Sequence, residues 1–220
     1  MGKLQLVKPT IFLMYGFPGS GKTYFARQLC DELQAAHVSG DRIRSELFEK
    51  PRYDKQENRV VTQLMQYMTE EFLSAGVSVV FDVNAMRVAQ RRVLRDMARK
   101  AKAEPVLIWF QVDADTSYQR NAKRDRRRAD DKYAQSLNRQ QFDSIASGMQ
   151  NPTAAEDYIV VSGKHTYQSQ RSTVIRKLYE TGLLQADQTQ VALPKPNLIN
   201  LVPPPFAGRV DPSRRNIRIN

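Results

Sequence analysis

Residues 10–23 read TIFLMYGFPGSGKT. The first six, Thr10–Tyr15, form an apolar run suited to one buried strand, and it halts at a glycine-rich segment. From Gly16 the order Gly16-Phe17-Pro18-Gly19-Ser20-Gly21-Lys22-Thr23 fits G-x-x-x-x-G-K-[ST] without a mismatch. Beyond it Phe25, Leu29 and Leu33 recur every four residues beside Ala26 and Cys30, the pattern of an amphipathic helix. Each fixed position has a physical task. Gly16, Gly19 and Gly21 let the backbone turn its N–H groups inward around phosphate oxygens, and the helix N-terminus adds its positive dipole end. Lys22 reaches the β- and γ-phosphates, and the Thr23 hydroxyl is the expected Mg²⁺ ligand. Strand before and helix after supply the context in which this motif binds a nucleoside triphosphate. ATP and Mg²⁺ are the expected cofactors.

Outward from this segment, apolar strands alternate with helical patterns. Val60, Val61, Leu64, Met65, Met68 and Phe72 mark a helix that Gly76 should end. Val77–Phe81, Val106–Val112 and Tyr158–Ser162 read as buried strands, and His37–Ser39 as a short one. Helices are expected over Asp41–Phe48, Met86–Lys102, Thr116–Arg126, Lys132–Ser147 and Ser169–Gly182. Strands apolar throughout, rather than alternating, describe an α/β fold with a parallel sheet covered on both faces.

The 220 residues suit one domain with an appendage, expected as a domain over 1–184 and a basic, Pro-rich tail over 185–220. Six of the eleven prolines fall between Pro194 and Pro212, so the tail is neither helix nor central strand. It reads either as a disordered end or as a strap laid along the domain or a protein partner, using Leu198, Ile199, Leu201, Val202 and Phe206. No apolar run approaches the ~20 residues of a membrane helix, and the N-terminus lacks a secretory h-region. Cys30 is the single cysteine, and His37 and His165 are the only histidines, which disfavours disulfides and Cys- or His-based metal centres. A reducing, cytoplasmic location is expected. The excess of 34 Lys+Arg over 23 Asp+Glu, a net charge of +11, favours an anionic partner.

A triphosphate site alone does not separate motors, GTPases and kinases. An N-K-x-D base-reading motif of GTPases is absent, whereas each part of a kinase has a candidate. Asp41 follows the short strand and could accept a proton from an acceptor hydroxyl, although an acid there also suits an N-cap. Arg44, one turn on, could hold an acceptor phosphate. Asp82 closes the VSVVF strand, where ligands gather in open α/β sheets, and pairs in sequence with Asn84; a simple Asp turn is the alternative. Arg120–Arg128 carries six basic residues in nine, a charge run that an anion would relieve. It reads as a lid, with Arg120 and Arg124 closing on phosphates, or as a solvated helix face. In the Met86–Lys102 helix, projection puts Met86, Ala89, Val93, Leu94, Met97 and Ala101 on an apolar arc. Arg87, Arg91, Arg95, Arg99 and Lys102 fall on an adjacent basic stripe, read as a track for a polyanion or as a solvated face.

The segments GFPGSGKT, SGDRIR, FDVNAMRVAQRR and YQRNAKR, in this order over residues 10–165, resemble the P-loop kinases around polynucleotide 5′-hydroxyl kinase, with zeta-toxin-type and small-molecule phosphotransferases as wider relatives. The resemblance implies an adenylate-kinase-like parallel sheet of four or five strands. It implies Lys22 and Thr23 for ATP and Mg²⁺, Asp41 as general base, and Arg44 for the acceptor phosphate. It further implies Asp82 with Asn84 ordering the site, and Arg124 as the lid arginine. Val83 departs from the Thr often found in relatives, and Arg126–Arg128 is unusually basic. Three readings stand: a kinase for the 5′-hydroxyl of single-stranded nucleic acid, with Arg87 among its contacts; a small-molecule kinase of the same fold; and an ATP-gated interaction module. The basic stripe favours the first.

Overall fold

Thr10–Tyr15 forms β1, buried at every residue, in the middle of a five-stranded sheet of order β2-β3-β1-β4-β5. The computed structural model describes residues 4–84, 86–125 and 132–184. The Arg126–Arg128 extension and the Pro-rich tail lie outside the described residues. The other strands are β2 (Ala36–Ser39), β3 (Val79–Asn84), β4 (Glu104–Gln111) and β5 (Tyr158–Ser162), and every pairing is parallel. The helices are α1 (Lys22–Leu33), α2 (Gly40–Leu47), α3 (Lys55–Ser74), α4 (Val88–Lys100), α5 (Ala114–Ala122), α6 (Arg139–Ser147) and α7 (Tyr167–Glu180).

The two-residue alternation of a strand divides β1 between two cores. Phe12 and Met14 join Phe25, Leu29 and Leu33 of α1 and Val174, Ile175 and Leu178 of α7. Ile11, Leu13 and Tyr15 join Val61 and Met65 of α3 and Leu94 and Met97 of α4. Because helices cover both faces, neither face of β1 can be polar. Chain order runs from β1 out to the edge at β2, back to β3, then across to β4. That reversal opens a crevice at the strands' C-terminal ends, where open α/β sheets take ligands. The β1–β3 ladder aligns Leu13 with Phe81 and then Met14 with Asn84, so two residues of β3 bulge out of it. One is Asp82, which stays in register with Ser39 of β2 and is thereby delivered to the crevice.

Several expected boundaries move by one or two residues or more. Residue 77 precedes β3 instead of opening it; Gly76, at φ +79°, closes α3, and Val77 lies about one-third exposed just after the turn. The helix expected from Thr116 to Arg126 ends at Ala122. The helix expected from Lys132 starts at Arg139, because Asn138 caps it, accepting the Gln141 N–H at 2.8 Å. Ala134 and Leu137, whose spacing mimics a helical turn, are buried ahead of it in irregular chain.

The α4 stripe is corrected more deeply. Its buried residues are Arg91, Leu94, Met97 and Ala98, while Ala89 and Val93 face outward. Arg91 is 0% exposed. Its guanidinium grips Glu156 through two bonds, Nε to Oε1 at 2.7 Å and Nη2 to Oε2 at 2.8 Å. It also donates to the Gln150 carbonyl at 3.0 Å and lies 5.2 Å from the Tyr15 ring centre. Arg95 reaches the same carboxylate at 3.2 Å, and Arg99 pairs with Asp96 at 3.0 Å. Arg91 and Arg95 of the stripe thus form a clamp on the α6–β5 connection. A carboxylate 65 residues away rotates the helix, and no local periodicity contains it.

Candidate active site

The segment Gly16–Gly21 wraps between β1 and α1. Gly19 has φ +86°, and a Cβ there would stand 2.2 Å from the Ser117 carbonyl of α5; only glycine lets the loop close against that helix. From the other side, a Cβ on Gly163 would stand 2.5 Å from the Ser20 carbonyl. Lys22 Nζ curls over the loop and donates to the Gly16 and Phe17 carbonyls, both at 2.8 Å. Burial lowers its pKa to about 8, with Arg124 adding to the effect and Asp82 and Asp41 opposing it.

Around Lys22 the C-terminal ends of β2 and β3 assemble a polar set. Thr23 Oγ1 donates to Asp82 Oδ1 at 3.3 Å, and His37 Nε2 lies 3.0 Å from Asp82 Oδ2, so both oxygens of this buried carboxylate are fixed. Asn84 Oδ1 accepts the Gly16 N–H at 3.3 Å, and Asn84 thus braces the first loop residue. Ser39, not Asp41, caps α2, accepting the Arg42 N–H at 3.5 Å. Asp41 sits in the first turn with no capping duty, and its side chain helps form the cleft wall. Asp41 keeps solvent contact, and its pKa is raised, first by partial desolvation against the cleft wall and then by the like charge of Asp82, against the opposing charges of Arg124, Arg44 and Lys22. A hydroxyl and a carboxylate side by side, Thr23 and Asp82, are the hard oxygen donors Mg²⁺ takes.

The cleft over the loop has a volume of about 690 Å³, and the expected residues divide around it. Pro18, Gly19, Gly21, Lys22, Thr23, Asp41, Asp82, Asn84, Arg120 and Arg124 line it. Arg120 donates to the Gly163 carbonyl at 2.7 Å and Arg124 to the Gln135 carbonyl at 3.1 Å, which hold both arginines at the rim. Arg44 does not line the cleft. It is buried, donating to Glu57 at 3.1 Å and Asn58 at 2.6 Å, with Tyr53 stacked 4.7 Å away. Glu57 comes from the first turn of α3, which Asp54 caps, and so ties α2 to α3. Arg87 is exposed at the start of α4, outside the cleft wall. Sequence reasoning missed His37 as the partner of Asp82; its place two residues before Ser39, on the same strand face, was the available signal. It also missed Asn121, buried on the cleft wall, where its side chain accepts the Leu137 N–H at 3.0 Å.

A family model described as an AAA domain, AAA_33, matches residues 11–152. The chain belongs to this AAA domain family. No curated protein matches the sequence. Solved structures do match this AAA domain. Kti12 of Chaetomium thermophilum, in complex with ADP-AlF3, has 15% identity and a TM-score of 0.62, covering 80% of this chain and 100% of that one. APS kinase CysC of Mycobacterium tuberculosis, in complex with AMPPNP and APS, has 17% identity and a TM-score of 0.58, with 78% and 98% covered. A sugar kinase from Janibacter sp. HTCC2649 has 16% identity and a TM-score of 0.57, with 80% and 95% covered. At such identities the likeness is one of fold, and the fold of this AAA domain is P-loop kinase-like. No described helix is long and apolar enough to cross a membrane.

Proposed function

We propose that this AAA domain is an ATP-dependent phosphotransferase that moves the γ-phosphoryl group to a hydroxyl of a small acceptor. The observation that carries the reading is Asp41: a carboxylate released from capping by Ser39, of raised proton affinity, in the same cleft wall as Lys22. The phosphates lie on the inward N–H groups of Gly16–Gly21 and the N-terminus of α1. Lys22 leaves its two carbonyls for the phosphate oxygens. Thr23 and Asp82 would hold Mg²⁺, which when bound neutralises charge on the β- and γ-phosphates. Asp41 takes the proton of the acceptor hydroxyl as its oxygen bonds to the γ-phosphorus and the bond to ADP breaks. Arg120 and Arg124 lie at the rim, where they offset the charge of the transferring group.

The acceptor is small on this reading because the two central arginines of the α4 stripe are already committed. Arg91 and Arg95 serve Glu156, which removes two members of the polyanion track expected on that helix, while Arg87 and Arg99 stay exposed, Arg99 in a surface pair with Asp96. Transfer to a polynucleotide 5′-hydroxyl keeps one supporting observation, the cluster of Arg120, Lys123 and Arg124 on the cleft wall. The test is Asp41→Asn, assayed with labelled ATP against nucleosides, sugars and 5′-hydroxyl oligonucleotides. Transfer should fall by about 10²-fold or more with ATP affinity nearly unchanged. Unchanged transfer in that variant would refute the role of Asp41.

A further inference from the structure

Asp41 and Thr23 are shared between two cavities. The first is the cleft over Gly16–Thr23; the second, of about 320 Å³, adjoins it at these two residues and at Ala134. The wall of the second carries three cations from three parts of the chain: Arg27 on α1, Arg42 on α2 and Lys132 ahead of α6. Asp41 is the only acidic residue among its described lining residues. Lys132 Nζ lies 5.0 Å over the Tyr133 ring, which sets an ammonium and an aromatic face side by side. Arg44, the residue expected to hold an acceptor anion, is occupied by Glu57.

A concavity with cationic side chains on three of its sides attracts a doubly charged anion. Two guanidinium groups and an ammonium suit the oxygens of a phosphate ester, since the planar forks of arginine match them in pairs. The volume is that of a small-molecule site. We propose that this cavity is the acceptor site and that the acceptor is a small phosphate ester. Its phosphate lies among Arg27, Arg42 and Lys132, and its free hydroxyl points past Asp41 toward the γ-phosphate. The inference rests on the phosphotransferase reading and adds the substrate class to it.

The experiment has two arms, both with the full chain and with the double variant Arg42→Gln/Lys132→Gln, whose exposed side chains the fold should tolerate losing. In the first, inorganic phosphate is titrated into protein saturated with Mg²⁺ and AMPPNP. The double variant should bind it about tenfold or more weakly than wild type, with AMPPNP affinity unchanged. In the second, labelled ATP is offered with matched acceptors: ribose and ribose 5-phosphate, glycerol and glycerol 3-phosphate, a nucleoside and its 3′-monophosphate, and a 5′-hydroxyl oligonucleotide. The phosphorylated small member should be preferred by about tenfold or more, and the variant should lose that preference. Equal use of neutral and phosphorylated acceptors, or phosphate binding unchanged in the variant, overturns the acceptor site while leaving the kinase reading in place. Preference for the oligonucleotide overturns the small acceptor. AMPPNP binding with transfer to none of these acceptors overturns both readings.

Discussion

Lys22 Nζ lies 2.8 Å from two backbone carbonyls that cannot neutralise it, and burial draws its pKa down to about 8. Bound phosphates favour the charged form, so the pKa rises again on nucleotide binding. Above pH 8 the free protein must therefore take up a proton to bind, and affinity should fall as pH rises, by up to about tenfold per unit. Calorimetric titration of AMPPNP between pH 7 and 9.5 checks this, and Lys22→Ala should bind weakly with that pH dependence removed. Asp41 works in the opposite direction. Its raised pKa moves the acidic limb of the rate profile above the ordinary carboxylate value of about 3.9, and transfer should be lost as pH falls through it. In Asp41→Asn that limb should vanish from the residual rate. At this scale the P-loop residues, Asp41 and Asp82 were legible because each stands beside a turn signal. Arg44 was not, since its sequence neighbours do not reveal Glu57 thirteen residues on.

Among the elements, α4 shows most clearly how one long-range pair overrides periodicity. Hydrophobic projection puts Ala89 and Val93 inward, yet the helix turns Arg91 inward to meet Glu156. Removing one partner leaves a buried charge without its counterion, so Glu156→Gln should cost about 3–5 kcal/mol. Arg99→Gln, at an exposed ion pair, should cost less than about 1 kcal/mol. Denaturant midpoints of the two variants measure the difference. The Arg91 guanidinium also holds the Glu156 carboxyl below its usual range. The pair's stabilisation is therefore complete above the unfolded carboxylate pKa and is lost as pH falls through the folded value, so Glu156→Gln should flatten acid destabilisation. The β1–loop–α1 unit, by contrast, was readable throughout, because strand, turn and helix follow in one continuous stretch. The start of α6 was misplaced because Ala134 and Leu137 are buried by neighbours in space rather than by a helix of their own.

Across the whole molecule, the nucleotide loop is held by contacts from distant segments. Ser117 of α5 closes on Gly19, Gly163 after β5 closes on Ser20, and Asn84 of β3 holds Gly16. A methyl group at Gly163 would stand 2.5 Å from a loop carbonyl and 2.3 Å from Val112, so neither can yield cheaply. Gly163→Ala should destabilise the protein by about 1–3 kcal/mol and weaken nucleotide binding. Gly148→Ala is the control, since its nearest contacts lie at 3.6 Å. Thermal unfolding with and without AMPPNP compares the two; equal behaviour would show that Gly163 does not set the loop.

The sequence by itself determined the α/β alternation, the phosphate loop and its helix, and the positions of Asp41 and Asp82. All of these depend on residues adjacent in the chain, where local sterics and periodicity act. Only the tertiary structure decided which arginines face solvent. It committed Arg44 to Glu57 and Arg91 to Glu156, set Arg120 and Arg124 at the cleft rim, and gathered Arg27, Arg42 and Lys132 around one cavity. Ion pairing joins groups close in space whatever their separation along the chain, and a guanidinium carries no local sign of the carboxylate it will meet.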